Sequence, residues 1–390
     1  MSSRKLDSCI FTLLLLLLLL SLAVLLTLPN PFSNSAKIAP KIFLINSNPS
    51  DASTWKSIPD FNLLAHNHTL SGLSSSFSSV HCTSDSSICQ LITGKGAIHA
   101  AMSTTTLLLS PLFDFRQTYF ILSGVGRISP RIGSIGSVTF ARFVIQPSLQ
   151  YEIDGREIPE NFTTGYVPLG SKEPGVYPSE FQGTEVFELN DALRNIVVGY
   201  ARTIELEDSN EVRAYRESYA DRSDLSYGNA VSMPGVLECD VATSDTFVAG
   251  HLLGEAWQNY TELVTDGQGV YCTTAHEDSA VLEVLLRANI EGLVEFGRVV
   301  VMRAGGDYDG PPAGVSAVES LSGTDVGYPL AQRNMYLTGV QVVKGILDNW
   351  DSVFKNIVTA ENYIGDMIGS LGERPDFGPS TVDNDGEIRK

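Results

Sequence analysis

Basic residues are scarce in this chain. Lys and Arg number 26 against 45 Asp and Glu, a formal net charge of −19 over 390 residues. Nothing resembles a basic stripe that could neutralise a phosphate backbone, so nucleic acid is excluded as a partner on electrostatic grounds. Histidine is sparse as well: the six His are scattered without metal-ligand spacing, which leaves no case for a bound metal. No motif asks for a cofactor. A Gly-x-Ser-x-Gly elbow is missing, which argues against a serine hydrolase. Gly94-Lys95-Gly96 lacks the Gly-Lys-Ser/Thr ending of a phosphate loop, and Gly124-Val125-Gly126 lacks the third glycine of a dinucleotide fingerprint. Asp376-Phe377-Gly378 matches a kinase tripeptide but stands without its companions. Long apolar runs are limited to one, at residues 9–28; residues 299–302 and 340–347 are too short or too mixed to cross a bilayer. A single span cannot build a transport pathway, which needs several helices around a central site.

That one run is uncharged, contains eight consecutive leucines at 13–20, and follows Arg4 and Lys5. It exceeds the roughly 7–15-residue core of a secretory signal and approaches the roughly 20 residues of a spanning helix. Ser33-Asn34-Ser35 before Ala36 offers a small-residue cleavage site. Residues 1–35 therefore read as a signal peptide or an N-terminal membrane anchor, the latter attaching the chain through residues 9–28. Either way the basic flank stays cytoplasmic and the main domain becomes extracellular or lumenal, secreted or held at a membrane of the cell surface or secretory pathway. Sequons at Asn67, Asn161 and Asn259 agree with that route. Oxidation is then open to Cys82, Cys89, Cys239 and Cys272. Of their three pairings, Cys82–Cys89 with Cys239–Cys272 is favoured; buried free thiols are the alternative.

With 43% hydrophobic residues the chain can bury a large core. Strand and helix patterns interleave without repeats. Apolar strands are expected at 41–46, 88–93, 119–123 and 299–302, and alternating ones at 136–146 and 149–153. Helices are expected at 97–109, 191–201, 212–219 and along the amphipathic stretch 340–357. The Ser-rich residues 71–87 read as a surface loop. The expected fold is α/β: a single domain over 38–370 with a central mixed, partly barrel-like sheet flanked by helices. Residues 375–390 read as a disordered acidic tail.

Two carboxylates stand out. Tyr271-Cys272-Thr273-Thr274-Ala275-His276-Glu277-Asp278 places Glu277 at the head of an apolar helical pattern, and an apolar strand then delivers Arg303-Ala304-Gly305-Gly306-Asp307. Cleaving or gripping a purine nucleoside requires a hold on the ribose hydroxyls and a group beside the purine ring, where protonation near N7 makes the base a leaving group. Glu277 suits the first task; its ordinary alternative is a surface or helix-capping acid. Asp307 suits the second, as a buried acid with a raised pKa, against a turn residue in a Gly-rich loop. Phe247 could stack on the base, or simply pack in the core. Gly124 and Val125 could bring backbone amides to a ligand, or form an ordinary tight turn.

Together these stretches resemble the fungal purine nucleoside permease family, which is related to the nucleoside phosphorylase and nucleosidase superfamily. The likeness covers roughly residues 38–365. Its most specific parts are Gly136-Ser137-Val138-Thr139-Phe140-Ala141-Arg142, Leu149-Gln150-Tyr151-Glu152-Ile153-Asp154, Glu238-Cys239-Asp240 with Thr243-Ser244-Asp245-Thr246, the Tyr271 stretch, and Asn349-Trp350. Gly94-Lys95-Gly96-Ala97-Ile98-His99-Ala100-Ala101 is similar to the turn into a helix of the nucleosidases, and Arg303 to Asp307 is similar to their Arg-x-x-Ser-Asp. The resemblance implies a nucleoside phosphorylase-like fold, Glu277 on ribose, Asp307 as base-protonating acid, and Phe247, Gly124, Val125 and Arg303 around the ligand. Gly306 replaces the Ser of that motif, family members often carry Asn where Asp307 stands, and Asn46-Ser47-Asn48-Pro49-Ser50-Asp51 stands where a phosphate segment would be. Phosphorolysis loses ground accordingly. The implied function is purine nucleoside binding that feeds uptake; the alternatives are hydrolysis of the N-glycosidic bond, or a surface protein that kept the fold and lost the site. A homo-oligomer is open, since trimers and hexamers occur in the superfamily.

Overall fold

Ile42, Phe43, Leu44 and Ile45 are all buried, but not in one core. Side chains alternate along a strand, so Ile42 and Leu44 join a cluster with Trp55, Val197 and Val343, while Phe43 and Ile45 join another with Leu107, Leu282 and Leu285. A strand covered on both faces belongs at the centre of a sheet sandwiched by helices.

The computed structural model describes residues 36–56, 61–220, 227–323 and 325–378. The expected leader or anchor, with its run at 9–28, lies outside the described residues, as does the tail from 379. In chain order the first elements are β1 (Ile42–Asn46), α1 (Pro49–Lys56), β2 (His66–Thr69), β3 (Ser79–Cys82), β4 (Ile88–Ile92), α2 (Ala97–Leu108) and β5 (Tyr119–Ile128). The middle holds β6 (Val138–Phe140), β7 (Phe143–Ile145), β8 (Gln150–Glu152), β9 (Tyr166–Pro168), β10 (Val186–Glu188), α3 (Asp191–Ala201) and α4 (Asn210–Glu217). Then come β11 (Val236–Glu238), β12 (Asp240–Thr243), α5 (His251–Val264), β13 (Tyr271–Ala275), α6 (Asp278–Ile290), β14 (Val299–Tyr308), α7 (Ala317–Ser322), α8 (Tyr328–Asp348) and β15 (Gly365–Asp366).

The fold is α/β with one large mixed sheet, in the order β15-β10-β7-β12-β13-β5-β1-β4-β3-β2. Strand β14 joins β5 to β6, and β6 continues to β11. Because β5 pairs with β1, β14 and β13, the sheet branches there instead of running as one flat layer. Helices α2 and α6 cover one face, through Leu107 and Leu108 on the first and Leu282, Leu285 and Leu286 on the second. Helices α3 and α8 cover the other, through Leu193, Val197, Met335, Val342 and Ile346. Among the described residues, no helix is long and apolar enough to cross a membrane.

Several local expectations change. The Ser-rich stretch 71–87 contains β3, paired antiparallel with both β2 and β4. The supposed turn at Gly124-Val125-Gly126 is the middle of β5, a ten-residue strand. A Cβ on Gly126 would lie 2.0 Å from the Thr274 carbonyl oxygen, so glycine there permits close strand approach, not a turn. The late amphipathic stretch is helical only to Asp348, followed by a π turn at Trp350–Phe354. Phe377 is buried against Phe143 and Tyr363, so the fold reaches past the expected tail boundary at 375. Cys82 is bonded to Cys89 and Cys239 to Cys272.

Candidate functional site

Strands β5, β13 and β14 end around a cavity of about 320 Å³, lined among others by Glu277, Asp307, Phe247, Val125, Arg303 and Arg127. Five of the residues singled out by sequence therefore meet in one place, although they lie as far apart in the chain as Val125 and Asp307.

Glu277 reaches the cavity because β13 runs straight into α6. It occupies the N-cap position but makes no side-chain cap hydrogen bond and is buried, so neither the capping nor the surface alternative holds. Its Oε1 accepts from the Gly96 amide at 3.2 Å. Burial pushes its carboxyl above the ordinary range; Arg303 opposes the shift and Asp278 adds to it.

Asp307 is not a turn residue either; it lies within β14. Arg303 stands opposite Gly124, Ala304 opposite Val125 and Gly305 opposite Gly126, after which the register shifts so that Asp307 faces Arg127. That bulge sets up an ion pair, Arg127 Nη2 to Asp307 Oδ2 at 3.1 Å, with both side chains largely shielded from solvent. Burial raises the Asp307 carboxyl, and Arg127 pulls the other way. The departure at Gly306 has a steric reason: a Cβ there would lie 2.5 Å from Val125 Cγ1.

Phe247 escapes core packing. It is 60% exposed at the cavity mouth, with its ring centroid 4.3 Å from that of His276 and the Lys95 ammonium 5.9 Å from it. A large exposed ring beside a cavity is a ready platform for a flat ligand.

Arg303 is committed to the protein. Its guanidinium is buried and forms a two-bond pair with buried Asp278, Nε reaching Oδ2 at 3.0 Å. Gly124 makes room for it, since a Cβ there would sit 2.3 Å from Arg303 Nη1. The Val125 amide, expected to face a ligand, instead donates to Asp51 Oδ2 at 3.2 Å. Asp51 also accepts from the Tyr328 hydroxyl at 2.6 Å and from Asn48 at 2.8 Å. What Gly124 and Val125 offer the cavity is thus the Val125 side chain, with no open amide at Val125.

Sequence reasoning passed over Arg127, Asp325, Tyr328 and His276, which share the lining. Arg127 is fixed by two hydrogen bonds besides the ion pair: its Nη1 donates to the Val248 carbonyl at 2.7 Å and its amide to Thr274 Oγ1 at 3.0 Å. The Tyr215 hydroxyl approaches Asp307 Oδ1 at 3.5 Å. Among the described residues no group of His, Cys, Asp and Glu could hold a metal. Asn67, Asn161 and Asn259 are all exposed.

Behind the cavity wall, Asp309 is buried and accepts from the Tyr271 hydroxyl at 2.6 Å. Burial pushes its carboxyl from 3.8 up to about 7, with the Tyr271 hydrogen bond opposing. A carboxyl raised on folding binds its proton more tightly in the native state than in the unfolded one. Its stabilising effect is present below the unfolded value and is lost as pH rises through the folded one. Asp309→Asn should therefore lose less unfolding free energy between pH 5 and pH 8 than the wild type, by on the order of 1–4 kcal/mol in urea titrations. Parallel losses in the two proteins would count against this assignment.

Residues 39–359 match the family model described as purine nucleoside permease (NUP). A purine nucleoside permease of Candida albicans is 36% identical over 351 residues, covering 88% of this chain and 84% of that protein. A Schizosaccharomyces pombe protein named as a probable purine nucleoside permease is 35% identical over 320 residues, covering 80% of this chain and 90% of its own. Among solved structures, the Neisseria meningitidis 5'-methylthioadenosine/S-adenosylhomocysteine nucleosidase in complex with methylthio-immucillin-A aligns with a TM-score of 0.46 at 14% identity, over 79% of this chain and 99% of that one. The futalosine hydrolase of Helicobacter pylori aligns with a TM-score of 0.47 at 13% identity, over 78% and 97%.

Proposed function

The chain belongs to the purine nucleoside permease family, and from that membership we propose that it captures purine nucleosides in the Glu277–Asp307 cavity and serves their uptake. One observation carries the reading: a buried carboxylate, a second carboxylate paired to an arginine, and an exposed aromatic ring line the same cavity. Glu277 accepts from the 2′- and 3′-hydroxyls of ribose. Phe247 covers a face of the purine, and Asp307 stands at its edge. The leader delivers this domain to the extracellular or lumenal side, where the three sequons are glycosylated and both disulfides are kept oxidised. Uptake across the bilayer then requires other components, since the residues 9–28 supply at most one span.

The raised Asp307 carboxyl favours a second reading, hydrolysis of the N-glycosidic bond. Water attacks the anomeric carbon and the C–N electron pair passes to the base. The Asp307 proton moves to N7, and the proton lost by water goes to solvent. Phosphate is the less suitable nucleophile, because the segment after β1 contributes Asp51 and no cation.

The test is the purified full chain incubated with adenosine, inosine or guanosine, with and without phosphate, measuring binding by calorimetry and free base by chromatography. Intact, bound nucleoside supports capture. Base released without phosphate makes the protein a nucleosidase; Asp307→Asn should then slow release by roughly 100-fold or more and alter binding by less than about 10-fold. If none of the three nucleosides binds, both readings fall.

A further inference from the structure

Two cavities of about 580 Å³ and about 80 Å³ adjoin along α5, and Asn259, Ala256 and Tyr166 line both. Together they form a groove between α5 and the β8–β9 hairpin, which pairs only with itself in a two-stranded sheet. We propose that this groove seats the chain's own N-linked glycan: the first sugar on Asn259 lies in it and ties the hairpin to α5. The inference rests on the secretory route and is independent of the nucleoside site.

Thr261 is fully buried, and among the described residues its hydroxyl finds no hydrogen-bond partner. Stranding a hydroxyl in the interior is unfavourable, and valine would fill nearly the same space without that penalty. Thr265, one turn further along, shows the satisfied arrangement: its hydroxyl donates to the Thr261 carbonyl at 2.6 Å and accepts from the Gly269 amide at 2.9 Å. What the Thr261 hydroxyl does supply is the last residue of Asn259-Tyr260-Thr261, where glycan attachment requires Ser or Thr. The other two sequons show no such conflict, since Thr69 Oγ1 is bonded to Ser79 Oγ at 3.2 Å and Thr163 is exposed. Tyr260 is buried as well, so the tripeptide is readable only before α5 packs. The sugar is then already in place when the groove forms around it.

The lining suits such an occupant. A sugar ring presents an apolar C–H face and a rim of hydroxyls. Ile158, Leu253 and Val315 offer surface to the first, while Thr163, Thr164 and Glu255 offer partners to the second. Asn259 itself is exposed, so the remainder of the glycan runs outward into solvent.

The test expresses the full chain in a eukaryotic secretory host and reads the three sequon peptides by mass spectrometry. Asn259 should carry a glycan. An amidase that strips N-glycans should release it from native protein about 10-fold or more slowly than those at Asn67 and Asn161, and equally fast after denaturation. Asn259→Gln should melt about 2–4 °C below the glycosylated wild type, whereas Asn67→Gln and Asn161→Gln should melt with it. Thr261 variants separate the sugar from packing. Thr261→Ser preserves the sequon and should keep both the glycan and its slow release. Thr261→Val removes the glycan and should melt below wild type in that host. In unglycosylated protein from bacteria the same variant should melt at or above wild type, because the stranded hydroxyl is gone. A lower melting temperature for Thr261→Val in both hosts overturns the proposal, as does an Asn259 glycan released as fast as the others. An unmodified Asn259 beside modified Asn67 and Asn161 also overturns it and leaves the secretory route standing. If no sequon is modified, the route and this inference fall together.

Discussion

Replacing Glu277 with alanine is expected to weaken purine nucleoside binding by about 100-fold or more without weakening the fold. The carboxylate would accept two charge-assisted hydrogen bonds from ribose, each contributing about 1.5–3 kcal/mol. Folding gains nothing comparable from it: the side chain is buried, its one hydrogen bond among the described residues is the 3.2 Å bond from Gly96, and burial raises its carboxyl. Removing an acid whose charged form is penalised relieves the native state. Affinity and thermal stability should thus separate, the first collapsing and the second holding or rising. Glu277→Gln, which retains one acceptor, should lose less. Undiminished binding by the alanine variant would remove ribose recognition from this residue, and a drop of many degrees in its melting temperature would assign Glu277 a structural role instead.

The neighbouring position should behave in the opposite way. Asp278→Ala is expected to cost about 3–5 kcal/mol of stability, because it takes from the buried Arg303 guanidinium its hydrogen-bonded partner and leaves only the more loosely interacting Glu277 and Asp51 as counter-charges. Both side chains are almost wholly buried, 5% and 1% exposed. The informative control is the double replacement Asp278→Ala with Arg303→Met. Deleting both charges should restore much of the loss, since an apolar pair of similar volume is often as stable as a buried ion pair. Urea titration of the three variants against wild type decides it. Equal destabilisation by the single and double replacements would mean that packing, not charge, sets the cost.

These two adjacent acids illustrate what a sequence can and cannot yield. Glu277, Asp307 and Phe247 were legible because each sits in a stretch whose residue types suit a nucleoside site, and the fold class was legible from strands of buried apolar residues alternating with helical stripes. Arg303 was legible as a member of the site but not as the captive of Asp278, since that pairing depends on how α6 packs against β14. Arg127 lay unnoticed because nothing in its neighbours distinguishes it; its meaning arises only when β5 and β14 pair in parallel. Asp325 follows a short exposed helix and reads locally as an ordinary loop acid. The turn assigned to Gly124-Val125-Gly126 failed for a related reason. Local glycine content suggests a bend, whereas here each flanking glycine clears space for a group from far along the chain, Arg303 in one case and Thr274 in the other.

The bulge in β14 bears on how this segment can vary among relatives. In an unbroken ladder, Arg303 opposite Gly124 would bring Asp307 opposite Ile128, a fully buried residue of an apolar cluster, and Arg127 would face Gly306. A single extra residue separates a carboxylate at the cavity from one directed at a hydrophobic wall. Insertions and deletions are usually tolerated in connections and purged from cores; here a strand interior carries the constraint, and it is one of chain length. Deleting the extra residue, Gly306, would let the ladder run unbroken and still bring the carboxylate opposite Arg127, whereas one residue added between Arg303 and Asp307 would carry it on to Ile128 and out of the cavity unless a second bulge absorbed it.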